Sequence, residues 1–169
     1  MRRTSFAGMP CSVARTLEVT GEWWTYLVLR DLFQGMRRFD DLQRRSGIAR
    51  NILSDRLRTL VEHGIVDRRL YQAKPDRYEY RLTDKGIDLY PVLVALMRWG
   101  DRWAAGEAGP PVVLTHKACG HDVMPELTCP HCHERVGARD MRWRAAGPAE
   151  DAGTAGKREL AGAAPATPA

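Results

Sequence analysis

Hydrophobic residues recur at helical spacing through the first part of the chain. One helix is predicted from Ser12 to Val19, with Ser12 as its N-cap. A second helix is predicted from Trp23 to Phe33, where apolar residues recur every three or four positions, and Gly35 is expected to end it. This second run is too long for a buried strand and lacks the alternation of an amphipathic strand.

Two further helices are predicted on either side of a turn at Ser46-Gly47. The first places Phe39 and Leu42 on one face, and the second ends before Gly64. The apolar face of the second helix contains Leu53, Leu57, Leu60 and Val61. Two short amphipathic helices joined by a turn that contains glycine are typical of a helix-turn-helix.

A β-hairpin is predicted after these helices. Residues 65–72 form one strand, and residues 77–82 form the other, in which Tyr78, Tyr80 and Leu82 alternate with charged residues. The Ala-Lys-Pro-Asp sequence at 73–76 suits the turn between them. The element order predicts a winged helix-turn-helix, which is mainly α with a small β-hairpin wing.

One more helical stretch runs from a cap at Thr83 to Trp103. Pro91 lies inside it, so the stretch is expected either to kink or to divide into two helices. Its apolar residues outnumber those that a small wing could cover. We therefore expect a dimer surface that the first helix shares, and a DNA-binding and dimerisation domain over residues 11–105.

The remaining parts of the chain differ in composition from this domain. Residues 1–10 are predicted to be a flexible arm and residues 106–111 a linker. Residues 112–143 form a small Cys/His appendage that resembles a zinc ribbon in composition. Residues 144–169 are rich in Ala, Gly and Pro without apolar periodicity, which predicts a disordered tail. We find no internal repeat.

Positive charge is concentrated in the predicted DNA-binding domain. The formal net charge is +5; residues 1–105 carry 19 Lys and Arg against 13 Asp and Glu, whereas residues 106–169 carry 7 against 8. A basic domain suits a polyanion such as double-stranded DNA. Because the chain has neither a membrane-length apolar run nor a signal-peptide core, we expect a cytoplasmic protein without a membrane partner.

The polar face of the helix after the Ser46-Gly47 turn is expected to read DNA. Side chains near the N-terminal end of such a helix reach base edges, and Arg and Asn pair well with guanine and adenine. The wing tip is expected to contact a minor groove or the backbone. The predicted DNA-binding residues are Arg50, Asn51, Ser54, Asp55, Arg56, Arg58, Lys74 and Arg77. The alternative, a merely solvated helix face, does not account for the turn, the wing and the charge together.

Five short motifs resemble those of the HxlR family of winged-helix regulators. They are Cys11-x-Val13, Trp24-Thr25 with Leu27-x-Leu29-Arg30, Arg38-Phe39-x-x-Leu42, Leu53-Ser54-x-Arg56-Leu57 and Tyr80-x-Leu82-Thr83-x-Lys85-Gly86. The resemblance implies a homodimeric transcription regulator, which we expect to be a repressor, on an inverted-repeat operator. It also implies dimer contacts from the first and last helices. The chain departs from the family at Ser12, where Pro is usual, and at Ala49, where a capping Ser or Thr is usual.

Two groups of residues suggest a sensor or a cofactor. Cys11 lies at a predicted helix start, which favours a reactive thiolate; the alternative is a small buried residue at the dimer interface. The pairs His116-x-x-Cys119 and Cys129-x-x-Cys132 are predicted to supply the four ligands of one structural zinc ion. His121, His131 or His133 could replace His116, and the segment could also be a hairpin that holds no metal.

Three classes of function remain after these observations. The first is sequence-specific DNA binding that regulates transcription. The second is a redox- or metal-responsive sensor that uses Cys11 or the Cys/His segment, and the third is a zinc-dependent protein-interaction module. We do not expect an enzyme, because the sequence has no nucleophile elbow, no phosphate-binding glycine loop and no paired catalytic carboxylates.

Overall fold

A computed structural model of the chain describes residues 5–6 and 8–144. The chain divides into two compact units, Met1–Met124 and Pro125–Ala169. The predicted disordered tail, from residue 145 onward, lies outside the described residues. So do residues 1–4 and 7 of the predicted flexible arm.

The first unit contains a winged helix-turn-helix, as the sequence predicts. Its helices are α1 (Ser12–Thr20), α2 (Trp23–Phe33), α3 (Phe39–Ser46), α4 (Arg50–Glu62), α5 (Asp84–Ile87) and α6 (Tyr90–Trp103). The wing is an antiparallel hairpin of β1 (Val66–Ala73) and β2 (Asp76–Leu82). A short 3-10 helix, Gly106–Ala108, follows α6. Within the described chain, no helix is both long and apolar enough to cross a membrane.

The structure corrects one predicted helix start and decides between two alternatives at another. Helix α1 has Cys11 rather than Ser12 as its N-cap, because Cys11 is the last residue with an extended backbone. The stretch after the wing divides into two helices, with Pro91 in the first turn of α6. Proline is favoured there because a first-turn N–H has no partner within the helix. The Thr83 hydroxyl accepts a hydrogen bond from the Gly86 N–H over 3.1 Å and caps α5, as predicted.

The hydrophobic core joins α2, both helices of the helix-turn-helix and the root of the wing. It is formed by Val28, Leu29, Leu32, Leu42, Ile48, Leu53, Leu57, Leu60, Ile65 and Val66. The leucines of α4 are spaced by three and four residues, so they lie on one face and leave the opposite face to solvent. The core therefore determines which side of α4 is exposed.

A buried carboxylate connects α2 to α3. The Asp31 side chain is fully buried, and its Oδ1 lies 2.8 Å from Arg30 Nη2 and 3.5 Å from Arg45 Nε. Acidic residues stand in the first turn of α3 and arginines in its last turn, which suits the helix dipole. Gly47 then takes the left-handed backbone, with φ of 68°, that the turn into α4 requires.

The wing also pairs with the segment that precedes α3. The Tyr80 N–H donates to the Arg37 carbonyl oxygen over 2.7 Å, and Arg38 forms an isolated β-bridge with Glu79. At the wing root, a Cβ atom on Gly86 would come within 2.2 Å of the Ile65 carbonyl oxygen. These contacts hold the wing against α3 on one side and against α5 on the other.

Candidate functional site

Helix α4 presents a polar face at its N-terminal end. Asn51 and Ser54 are exposed there, and Leu53 is buried on the opposite side. Ala49 is the N-cap, and its methyl side chain cannot accept a hydrogen bond from the first turn. The first N–H groups of α4 are therefore left for solvent or for an anion such as a DNA phosphate.

Arg50 is held against α3. Its Nη1 donates to Asp40 Oδ1 over 3.1 Å and to Gln43 Oε1 over 3.0 Å. Its guanidinium also lies over the Phe39 ring, 4.8 Å from the centroid. Charge-assisted hydrogen bonds and stacking favour a defined orientation of a long side chain. Arg50 is therefore exposed, and its contacts with α3 define the orientation of its side chain.

The other charged residues predicted on α4 lie in two different settings. Arg56 is only 18% exposed, and its Nη1 lies 3.7 Å from Glu22 at the start of α2. Arg58 Nη2 lies 2.8 Å from Asp55 Oδ1, and its Nε lies 3.8 Å from Glu62. Arg58 and Asp55 therefore neutralise each other on the exposed side of α4, whereas Arg56 also helps to attach α4 to α2.

The wing carries the two remaining predicted residues. Lys74 and Arg77 are both exposed at its tip, Lys74 in the turn and Arg77 at the start of β2. Gln72 Nε2 donates to the Lys74 carbonyl oxygen over 2.9 Å, which braces the turn. Further along the wing, Arg68 lies over the Tyr78 ring, 3.6 Å from its centroid.

An open groove of about 460 Å³ runs between α3, the start of α4 and the wing. It brings together Arg50 and Arg77, two of the residues that the sequence predicts to bind DNA. Arg38 and Arg44, which were not predicted, line the same groove. The Arg38 guanidinium is 4.8 Å from the centroid of the Tyr71 ring on β1. Three aspartates, Asp40, Asp41 and Asp76, also line the groove, so its formal net charge is +1. Guanidinium groups bind phosphate oxygens in a bidentate manner, so the four arginines are suited to contact a phosphate backbone.

A second open groove, of about 730 Å³, adjoins the first and shares Arg38 and Arg44 with it. It adds Arg37 and Arg45 from the two ends of α3. The sequence contains these residues as two adjacent pairs, Arg37-Arg38 and Arg44-Arg45, and such pairs indicate a basic surface. The predicted DNA-binding residues lie on the recognition helix and the wing, and these arginines are not among them.

Tyr80 lies half-buried beside the first groove. Burial raises the pKa of its hydroxyl above the ordinary value of 10.0, and the nearby Arg68 partly offsets this. The phenol is therefore protonated at neutral pH, so it can donate a hydrogen bond.

Cys11 is half-buried at the N-cap of α1, and its thiol is free of any disulfide to another described residue. The segment before it is fastened to α1. The Phe6 N–H donates to Glu18 Oε2 over 2.7 Å, and the Ser5 hydroxyl donates to Glu18 Oε1 over 3.2 Å. The structure therefore places Cys11 between α1 and a short segment that folds back on it.

Each half of the Cys/His segment forms a tight turn closed by an isolated β-bridge. The first turn holds His116 and Cys119, with His116 Nδ1 lying 3.3 Å from Cys119 Sγ. The second holds Cys129 and Cys132, and backbone N–H groups of Cys132 and His131 lower the pKa of the Cys129 thiol. Among the described residues, no three His, Cys, Asp or Glu side chains are gathered in a metal-binding arrangement.

The two turns are copies of one pattern, which corrects the statement that the chain has no internal repeat. Residues 114–123 read LTHKACGHDV, and residues 127–136 read LTCPHCHERV, so the same positions recur 13 residues later. The bridges Thr115–Asp122 and Thr128–Arg135 occupy equivalent places. The repeat is short and has few identities, since only Leu, Thr, Cys and Val recur at equivalent positions.

Comparison with known proteins identifies the family. The model of the HxlR-like helix-turn-helix family matches residues 19–108, which is more than half of the chain. The chain belongs to the HxlR family. An uncharacterized HTH-type transcriptional regulator of Mycobacterium tuberculosis is 50% identical over 130 residues, which cover 77% of this chain and 82% of that protein. As a member of this family, the chain is a transcriptional regulator with a helix-turn-helix.

Solved structures related to this HxlR protein agree with its fold. The crystal structure of PA1607, a proposed transcription factor, is 37% identical with a TM-score of 0.74, covering 83% of this chain and 99% of that one. The redox regulator HypR in its oxidized form is 33% identical with a TM-score of 0.51. The match covers 54% of this chain and 96% of HypR. The likeness to PA1607 thus extends over a larger share of the chain than the HxlR model does.

Proposed function

We propose that this HxlR protein binds a specific DNA operator as a homodimer and represses transcription in the cytoplasm. Helix α4 enters the major groove, where Arg50, Asn51 and Ser54 read base edges. The wing, with Lys74 and Arg77, lies on the adjacent backbone or minor groove. This arrangement follows the usual docking of a helix-turn-helix, in which the second helix reads the bases.

The observation that carries the proposal is the arginine-lined groove beside α4. It joins Arg50 on the reading helix to Arg77 on the wing through Arg38 and Arg44. Most contacts to a DNA duplex are made to phosphates, and they position the helix that reads the bases. The groove gathers arginines from α3, the reading helix and the wing at one surface, although three aspartates lie among them. This gathering favours a docked duplex over a solvated helix face.

An uncovered apolar face supports the homodimer. On α6, Val92, Leu96, Trp99 and Trp103 are exposed at helical spacing, whereas Val94 is buried. Trp99 is 64% exposed and Trp103 is 66% exposed. Helix α1 adds Val13 and Leu17, which are also exposed and four residues apart. A second copy that covers this face would remove a large apolar area from water, at roughly 25 cal/mol per Å².

Binding to DNA from upstream of the protein's own gene tests the proposal. We expect a dimer to shift this fragment at a concentration that leaves an unrelated fragment free. Raising the salt concentration should weaken binding steeply, because several phosphates are neutralised. Transcription in vitro from the same fragment is then expected to fall when the protein is added.

The outcomes separate the parts of the proposal. Equal affinity for both fragments would contradict sequence-specific binding. A monomer at the concentrations that shift DNA, measured by light scattering, would contradict the homodimer. A rise in transcription would contradict repression and would indicate an activator.

A thiol-dependent response at Cys11 is a second candidate function. HypR, which is 33% identical to this chain, is a redox regulator with known reduced and oxidized structures. Cys11 is only half-buried and begins α1, which belongs to the proposed dimer face. Oxidation of its thiol would therefore act on the orientation of the two subunits and, through it, on DNA binding.

A further inference from the structure

Asp31 is a buried carboxylate with an incomplete set of hydrogen bonds. Its side chain is fully buried in α2, and its Oδ1 accepts a hydrogen bond from Arg30 Nε over 2.9 Å. Its Oδ2 is also buried, and it has no hydrogen-bond partner among the described residues. A buried polar atom without a partner costs free energy, and desolvation offsets the attraction of a buried ion pair. Stability alone therefore does not account for a carboxylate at this position.

Arg45, in the last turn of α3, is the second arginine beside this carboxylate. Its Nε lies 3.5 Å from Asp31 Oδ1, and its Nη2 donates a hydrogen bond to Gln34 Oε1 over 2.5 Å. Both partners belong to the C-terminal end of α2, because Gln34 is the C-cap of that helix. Arg45 Nη1 has no hydrogen bond or ion pair to another described residue. Two nitrogens of the planar guanidinium are thus held from α2, and the third remains able to donate.

Arg45 lines the second groove, which has a volume of about 730 Å³. The other charged residues that line this groove are Arg37, Arg38, Arg44, Asp41 and Glu79. Its formal net charge is therefore +2, whereas that of the first groove is +1. The second groove is the more positive of the two, and a polyanion bound in the first groove reaches it through the shared residues Arg38 and Arg44.

We propose that Asp31 is a positioning residue for DNA binding, which holds Arg45 so that its Nη1 contacts a phosphate beside the first groove. The inference rests on the proposed function, because it requires a duplex docked against α4 and the wing. The contact with the DNA backbone then extends from the first groove into the second. Such phosphate contacts fix the register of a protein on DNA without reading its sequence.

A buried acid suits this positioning role better than an exposed acid does. The Asp31 side chain is 0% exposed, whereas the Arg45 side chain is 45% exposed and accessible to a ligand. Burial fixes the carboxylate and shields its charge from salt, so its attraction for Arg45 is screened less than that of a surface pair. Immobilising a long side chain at an interface reduces affinity, so an arginine that is ordered before binding contributes more.

A double-mutant cycle in DNA affinity tests the proposal. The four full-length proteins are the wild type, Asp31→Asn, Arg45→Ala and the double variant. The probe is a fluorescein-labelled duplex of random sequence, because phosphate contacts do not depend on sequence. Asp31→Asn removes a negative charge in both backgrounds, so only the difference between its two effects reports positioning. We expect Asp31→Asn to lower the affinity about fivefold more in the wild type than in Arg45→Ala.

Two further variants complete the experiment. Asp41→Asn is the matched control, because Asp41 lines the same groove but lies 3.5 Å from Arg44 Nη1. Its effect on affinity should be the same with and without Arg45. Gln34→Ala removes the other contact that holds Arg45, so its effect should disappear when Arg45 is replaced. Arg45→Ala alone should reduce the slope of log affinity against log salt by about 1.

The outcomes separate this inference from the proposed function. Equal effects of Asp31→Asn in the two backgrounds would overturn the positioning role, and so would an unchanged salt slope in Arg45→Ala. Thermal denaturation shows whether each variant is folded. If Asp31→Asn is not, the cycle is run with Gln34→Ala, and equal effects there would overturn the positioning of Arg45 from α2. A wild type that binds no duplex would overturn the proposed function and this inference together, whereas binding without coupling would overturn the inference alone.

Discussion

Arg50, the first residue of α4, donates a hydrogen bond to Asp40 of α3 over 3.1 Å. The pair spans the turn between α3 and α4, so α3 orients the arginine at the start of α4. Both side chains are largely exposed, which means that water screens their attraction and the pair adds little stability. In the proposed complex, this pair would orient Arg50 before DNA binds.

Replacing Arg50 should weaken operator binding selectively. We expect Arg50→Ala to cost about 1–3 kcal/mol in operator affinity, because a bidentate contact to a base is lost. Asp40→Asn keeps an acceptor for Arg50 but removes a negative charge near the DNA, so it should strengthen binding to every sequence alike. Fluorescence anisotropy with operator and scrambled duplexes measures both effects. Equal loss of affinity for both duplexes in Arg50→Ala would contradict base reading by this residue.

Arg44 should behave differently, because it is proposed to contact phosphate. We expect Arg44→Ala to weaken operator and scrambled DNA alike and to reduce the slope of log affinity against log salt by about 1. Arg139, an exposed arginine of the second unit, is the matched control, and Arg139→Ala should leave the slope unchanged. An unchanged slope in Arg44→Ala would place the groove outside the DNA contact.

Most of the fold could be predicted from the sequence because periodicity and turn residues agree. The predicted helix Trp23–Phe33 matches α2 at both ends, since its apolar positions, Gly35 and the preceding Gly21 all mark it. The fate of Pro91 could not be predicted. Proline permits a kink within a helix or a new helix start, and the choice depends on how α5 packs against the wing root.

A single negative charge on the apolar face of α6 should weaken the proposed dimer. Trp99→Glu is expected to destabilise the dimer by about 2 kcal/mol or more, because a large aromatic anchor becomes a carboxylate that must be desolvated. Trp143, which is 93% exposed in the second unit, provides the control Trp143→Glu. Sedimentation velocity measures the dissociation constant of each variant. A dimer as stable as the wild type in Trp99→Glu would exclude this face.

Oxidation provides a test of Cys11. If its thiol is the sensor, diamide should lower the operator affinity of the wild type and leave Cys11→Ser unaffected, with recovery after a reducing agent. Mass spectrometry must show which cysteines react, because Cys119, Cys129 and Cys132 also form no disulfide with another described residue. Unchanged binding by protein whose Cys11 has been oxidised would remove the sensor hypothesis.

Gly86 should tolerate no larger residue. An added Cβ would meet the Ile65 carbonyl oxygen, so Gly86→Ala is expected to cost about 1–3 kcal/mol in the free energy of unfolding. Gly100 of α6 meets nothing within 4 Å, and Gly100→Ala should raise stability by about 0.5–1 kcal/mol. Thermal denaturation compares the two. Equal stability of the two variants would show that the backbone at the wing root can shift to accommodate the added methyl group.

The candidate DNA surface was only partly predictable. The sequence marks Arg50 and Arg77 because each lies on a recognisable element, the reading helix and the wing. Arg38 and Arg44 join them only through tertiary packing, in which the wing folds back onto α3. For Arg56, the sequence-based expectation fails in the other direction. Its position on α4 suggests an exposed side chain, but the side chain lies close to Glu22 of the α2 N-cap and is largely buried. Pattern alone does not report such cross-element ion pairs.

The backbone hydrogen bond from Tyr80 to Arg37 has a consequence for how an operator is accommodated. It attaches the wing to the segment that leads into α3, and α3, α4 and the wing root share one hydrophobic core, so the structure defines the position of the wing relative to the reading helix. The angle between their contacts on a duplex is then a property of the protein. Adjustment must come from the DNA, through bending or a change in groove width, and its energetic cost depends on base steps that no side chain touches. Operators should therefore be selected partly by their flexibility.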